Sequence, residues 1–171
     1  MDRGTTRRIV LTGPECTGKS TLAAMLAAEL GAPLLAESAR GYAASVGRPL
    51  TVDDVEPIAR HAVAAEDFLL RSAPTAIVLD TDLLSTVVYG RHYYGFRSAW
   101  IEDELRARLG DRYLLCHPDV PWIADGIRDR PGDRREMLAE FRSTLEEFGA
   151  PFTDIRGTGD ARLAAARAAL K

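Results

Sequence analysis

Asparagine and glutamine are absent from this 171-residue chain, and lysine occurs only at Lys19 and Lys171. Without Asn there is no NKxD element to read a guanine base, and without Gln there is no side chain to orient attacking water as G proteins do. Cysteine is scarce: Cys16 and Cys116 stand in no metal-ligand spacing and are expected as reduced thiols. His61, His92 and His117 are scattered, which gives a zinc site no support. No apolar run approaches the length of a membrane span, and the start MDRGTTRR lacks the apolar core of a secretory signal. The expectation is a cytoplasmic protein with no membrane partner. A net charge of −3 gives no electrostatic reason to expect nucleic acid. What is present is 46% hydrophobic and 27% charged residues, the balance of a soluble globular protein. The length suits one well-buried domain over 1–171.

Short apolar runs alternate with longer helical patterns, the signature of an α/β fold with a parallel sheet sandwiched by helices. Strands are expected at Ile9–Leu11, Pro33–Ala36, Ala76–Leu79, Arg112–Cys116 and Pro151–Ile155, making the sheet five-stranded. A helix is expected from about Lys19 to Leu30, with Leu22, Met25, Leu26 and Leu30 on one face and Gly31 as its cap. Thr51 and Asp54 mark another helix start, continued by Val55, Ile58, Ala62 and Leu69 to about Arg71. Further helices are expected over Leu83–Tyr94, from near Asp133, and from about Asp160. Between Cys116 and Asp133 lies HPDVPWIADGIRDRPGD, whose Pro, Gly, Asp and Arg content suits an ordered loop or short lid, about 118–135.

The strongest chemical signal is GPECTGKST, Gly13–Thr21, which fits G-x-x-x-x-G-K-[ST] between a strand and a helix. Backbone N–H groups of Gly13, Glu15, Cys16, Thr17, Gly18, Lys19, Ser20 and Thr21 are placed to hold the phosphates of ATP at a helix N-terminus. Lys19 is written in a chain that otherwise uses Arg, because a compact ammonium reaches between phosphates where a planar guanidinium would overfill the space. Ser20 and Asp80, the latter ending the apolar run AIVLD, form a pair able to hold Mg²⁺.

Ligands of open α/β sheets sit beyond the carboxyl ends of the strands, where Glu37 and Asp82 also emerge. Glu37 is a candidate base for an acceptor hydroxyl, with a helix cap or an ion pair with Arg40 as the other readings. Asp82 is divided between helix cap and substrate ligand. Arg128, Arg130, Arg134 and Arg135 either form a solvated face or close on a transferring phosphate, one or two of them acting so. Tyr42, Tyr89, Tyr93 and Tyr94 read as core or partly buried aromatics, with Tyr42 and Tyr89 also counted as candidate substrate contacts. Trp122, between Asp119 and Asp125, combines a ring with nearby carboxylates as a flat cationic acceptor requires, or is a satisfied aromatic.

Taken together, GPECTGKST, ESARGY, LDTDLLSTVVYG and PDVPWIADGIRD followed by Arg134 resemble the nicotinamide riboside kinase domain of NadR-type proteins over nearly the whole chain. The resemblance implies a P-loop kinase fold, nucleoside- and nucleotide-kinase-like with a short lid, and ATP-dependent phosphorylation of the 5′-hydroxyl of nicotinamide riboside. It implies Lys19, Ser20 and Asp80 at ATP and Mg²⁺, Glu37, Asp82, Trp122 and Asp125 around the nucleoside, and Arg128 in the lid, a catalytic position. Cys16-Thr17 stand where small serines are common in the family. No stretch before residue 8 could hold a nucleotidyltransferase or DNA-binding domain, so adenylylation and transcriptional regulation are not expected of these residues. A kinase of another nucleoside or metabolite, and an ATPase acting on a protein partner, remain the alternatives.

Overall fold

The computed structural model describes residues 6–121 and 134–171. Strand β1 (Arg7–Thr12) runs into the phosphate loop and α1 (Lys19–Leu30), and the short β2 (Leu34–Leu35) follows. Helix α2 (Ser38–Val46) leads through a 3₁₀ turn (Val52–Asp54) into α3 (Val55–Leu70) and β3 (Ala76–Asp80). Then come α4 (Leu83–Tyr94), α5 (Ala99–Ala107), β4 (Arg112–Cys116), α6 (Arg134–Glu147), β5 (Phe152–Ile155) and α7 (Gly159–Ala169). The five strands form one sheet in the order β2-β3-β1-β4-β5, every pairing parallel. This is the expected five-stranded parallel sheet.

Alternation along the strands sends side chains to both faces, and both are buried, as a parallel sheet requires. On one face Ile9, Leu11, Val78, Leu114, Cys116 and Ile155 pack with Leu22, Ala23, Leu26 and Ala27 of α1 and Leu163 and Ala166 of α7. On the other, Val10, Ile77, Leu79, Tyr113 and Leu115 meet Val55, Leu84, Val88, Leu105 and Phe141 from α3 to α6. Among the described residues no helix is long and apolar enough to cross a membrane.

Three local expectations need correction. Met25 and Leu30 are exposed, at 39% and 46%; the buried face of α1 is Leu22, Ala23, Leu26 and Ala27. Helix α1 is apolar nearly all round, so periodicity could not choose its face, and the small alanines allow the closer approach to the sheet. Strand β2 keeps only Leu34–Leu35 of the Pro33–Ala36 run, since it lies at the sheet edge and pairs with β3 alone. Helix α5 was not anticipated: its sequence AWIEDELRA carries four charged residues among nine and buries only Ile101 and Leu105.

The fold carries the candidate chemistry to one end. Leu11 pairs with Asp80 across β1 and β3, so the carboxylate that ends β3 lies beside the residues leading into the phosphate loop.

Candidate active site

The phosphate loop begins at Gly13, whose φ of 126° is open to glycine; a Cβ there would stand 2.6 Å from the Cys116 carbonyl oxygen. Gly18, at φ 74°, occupies the N-cap of α1, and the first turn of that helix carries no acidic residue. Its exposed N–H dipoles are therefore left to an anion. Lys19, 7% exposed, donates from Nζ to the Pro14 carbonyl at 2.6 Å, and the Thr17 hydroxyl donates to the same oxygen at 2.9 Å. Cys16 is partly exposed at φ 51°, and Ser20 and Thr21 are exposed.

Asp80 is 5% exposed, and its Oδ1 has no hydrogen-bond partner among the described residues. Burial raises its pKa above the ordinary carboxylate value, while a Ser20 hydrogen bond and the Lys19 charge oppose the rise and the Glu37 charge adds to it. Lys19, Ser20 and Glu37 are thus close enough to act on Asp80. A buried carboxylate oxygen with an open lone pair, next to a serine hydroxyl, suits a hard divalent cation.

Beyond the loop a cavity of about 340 Å³ opens between α2, α3 and α4. Glu15 of the phosphate loop, Glu37, Thr81, Asp82, Tyr89 and Tyr93 all line it. Glu37 occupies the N-cap position of α2 without capping it, and Arg40 approaches its carboxylate at 3.5 Å. The cap reading of Glu37 is not realised in the structure; the ion pair is. Asp82 does cap α4, accepting from the Leu84 amide at 3.1 Å, and its second oxygen accepts from the Tyr113 hydroxyl at 2.6 Å. Burial pushes the Asp82 carboxyl up to about 6 against those two hydrogen bonds. The rings of Tyr89 and Tyr93, both lining the cavity, lie 5.9 Å apart and within 5° of parallel.

Tyr42 is not brought to this cavity. Its hydroxyl donates to Asp54 at 3.1 Å, as part of a cluster in which Asp54 also takes Arg48 at 2.7 and 2.9 Å and the Thr51 amide at 2.8 Å. That cluster fixes the Arg48–Thr51 strap, whose residues form another wall, and the Tyr94 hydroxyl also holds it by donating to the Leu50 carbonyl at 3.0 Å. Arg134, at the start of α6, donates to the Val120 carbonyl at 3.2 Å. Trp122, Asp125, Arg128 and Arg130, with most of the expected lid over 118–135, lie outside the described residues.

Several contributors escaped the sequence reading. Thr81 stands between the two aspartates with φ 68°, an outlying conformation for a β-branched residue, held by its amide to the Leu11 carbonyl at 3.0 Å. Such a torsion leaves no mark in sequence. Glu66, 4% exposed, lines the cavity and pairs with Arg8 at 2.7 Å and Arg108 at 3.7 Å. Arg48 looks like any surface arginine until the strap is folded. Arg162 had one signal, a charged residue on the apolar side of an Ala-rich helix beside Leu163 and Ala166.

Comparison with known proteins agrees with this geometry. A family model described as an AAA domain matches residues 8–162. The trifunctional NAD biosynthesis/regulator protein NadR of Escherichia coli (strain K12) is 28% identical over 155 residues, covering 87% of this chain and 38% of that protein. The chain thus spans well under half the length of the curated relatives it matches. A crystal structure of NadR protein in complex with NR superposes with a TM-score of 0.78 at 26% identity, over 97% of this chain and 51% of that one. Thymidylate kinase from Ehrlichia chaffeensis shares the fold, with a TM-score of 0.70 at 13% identity, over 96% of this chain and 97% of that one. The expected likeness to NadR-type kinase domains is therefore found in both sequence and fold, and the architecture is that of P-loop kinases.

Proposed function

We propose that this chain, which belongs to the AAA domain family, is an ATP-dependent kinase of a small nucleoside. We infer further that the acceptor is the 5′-hydroxyl of nicotinamide riboside, the product being nicotinamide mononucleotide, and that residues 1–171 act as one kinase domain. The observation that carries the reading is the shared wall: one cavity is bounded by Glu15 of the phosphate loop, by Glu37 and by Thr81-Asp82. Its volume of about 340 Å³ falls in the range of roughly 300–1,000 Å³ usual for small-molecule sites.

The lining favours this acceptor class. Glu15, Glu37, Glu66 and Asp82 face the cavity against Arg48, which is committed to Asp54. A hydroxyl-rich sugar carrying a cationic ring would match the carboxylate-containing lining and the aromatic rings of Tyr89 and Tyr93. Glu37 is better suited than Asp82 to take the hydroxyl proton, because both Asp82 oxygens already accept internal hydrogen bonds. Trp122, Asp125 and Arg128 complete the proposal on the acceptor and lid side.

Mg²⁺ would be held by Ser20 and the open oxygen of Asp80, and supplies neutralisation of phosphate charge when bound. Lys19 holds the terminal phosphates, the N-terminus of α1 takes phosphate oxygens, and the cavity walls keep water from competing with the acceptor.

The test is ATP consumption by the purified chain, with and without a panel of nucleosides. Strong stimulation by nicotinamide riboside, with formation of nicotinamide mononucleotide, is the expected result. Stimulation by a different nucleoside would replace the acceptor, and acceptor-independent hydrolysis would overturn the kinase reading.

A further inference from the structure

Arg162, in the first turn of α7, is 4% exposed, and among the described residues no carboxylate forms an ion pair with it. Its guanidinium donates to three backbone carbonyls and also interacts with the buried Cys116 thiol. Nη2 donates to the Thr17 carbonyl at 2.6 Å and to the His117 carbonyl at 3.1 Å, and Nη1 donates to the Gly157 carbonyl at 2.8 Å. These acceptors belong to three segments: the phosphate loop, the end of β4, and the turn between β5 and α7. The same junction is tied again by the Gly157 amide, which donates to Asp119 at 2.8 Å. Nε is buried without a hydrogen-bond partner among the described residues.

The bond to Thr17 has a directional consequence. The Thr17 carbonyl and the Gly18 N–H belong to one peptide plane, and in a trans peptide they point in opposite directions. Holding the carbonyl against Arg162 turns the Gly18 N–H away from Arg162, at the N-cap of α1. Gly18 has no Cβ and sits at φ 74°, so nothing in its own side chain restrains that plane. A buried guanidinium with no carboxylate partner also adds positive charge behind a loop built for anions.

We propose that Arg162 is a positioning residue of the phosphate site: it fixes the Thr17–Gly18 peptide in the anion-binding orientation and adds a positive charge that bound triphosphate offsets. It acts through the backbone and does not touch the reacting atoms. The proposal rests on reading Gly13–Thr21 as the triphosphate site.

The test titrates Mg·ATP calorimetrically into wild type, Arg162→Met and Arg162→Lys, and records the melting temperature of each without nucleotide. Arg162→Met is expected to weaken Mg·ATP binding about tenfold or more, since charged hydrogen bonds and a buried charge are lost. Arg162→Lys keeps the charge but not the fork, and is expected to fall between the two. The KM for the acceptor nucleoside should stay within about twofold, a split that general loosening of the fold would not produce. A lower melting temperature with Mg·ATP affinity unchanged in a folded variant would make the role purely structural and overturn the proposal. If Arg162→Met does not fold, Arg162→Lys decides, and affinity within about twofold of wild type overturns it. Failure of the wild type itself to bind Mg·ATP would overturn the reading of the loop instead, and is seen before any variant is compared.

Discussion

The two halves of the candidate site are built by opposite means. The proposed phosphate half is one contiguous stretch, Gly13–Thr21, whose backbone N–H groups are set by the positive φ torsions of Gly13, Cys16 and Gly18. The acceptor half is drawn from residues as far apart in sequence as Glu15 and Tyr94, and its recognition groups are side chains. Backbone recognition tolerates changes of side chain, so the phosphate half is generic. Side-chain recognition does not, so in the proposed kinase the specificity would be concentrated in the acceptor half.

That contrast can be broken experimentally. The largest effect is expected from Lys19→Ala, which removes the charge between phosphates and should lower turnover by about 10³-fold or more with the acceptor cavity intact. Retained turnover in a coupled assay would show that the loop does not hold the transferring group. Glu37→Gln, on the acceptor side, should lower turnover about 10²-fold while Mg·ATP affinity stays near wild type, as measured by single-turnover kinetics and calorimetry. Normal turnover in that variant would remove Glu37 from the proton transfer.

Arg48→Met should act only on the acceptor half. It unties the strap from Asp54 and is expected to raise the acceptor KM about fivefold without changing the KM for ATP. The same latch predicts a pH dependence. The Arg48 hydrogen bonds, followed by the Thr51 amide, hold the Asp54 carboxyl far below its ordinary value of 3.8. A carboxyl depressed in the folded state stabilises the fold above its unfolded value and loses that contribution as pH falls through the folded one. The melting-temperature difference between wild type and Asp54→Asn should therefore be full at neutral pH and narrow only below 3.8. The smallest effect is expected from Tyr42→Phe, which removes one hydrogen bond to Asp54 and should leave the acceptor KM within about twofold. A larger change would return Tyr42 to the substrate contacts.

Legibility follows the same division. The parallel sheet was readable because most of its strands carry a compact apolar run, and the phosphate loop because its motif requires fixed spacing over a few residues. Asp80 was readable as the carboxylate at the end of a buried strand, while Asp82 could be either cap or ligand until Leu84 and Tyr113 were seen to engage it. Tyr42 and Tyr89 were indistinguishable as aromatics of helical segments; the fold turns one toward Asp54 and the other onto the cavity. Met25 and Leu22 were likewise equivalent by composition, and only packing against the sheet separated them.

What the sequence determined by itself was local: the five strands, most of the helices, the phosphate-loop motif with its single lysine, and the carboxylates leaving the strand ends. Local rules suffice there because hydrogen bonding along a helix, burial along a strand and the torsions of glycine act over a few residues. The tertiary structure decided the rest: the Arg48–Asp54 latch, the strained Thr81 between two aspartates, the stacked Tyr89 and Tyr93 rings, and Arg162 reaching across 145 residues to the Thr17 carbonyl. Those depend on which distant groups share a cavity or a buried donor, and that is fixed only when the sheet brings the ends of its strands together.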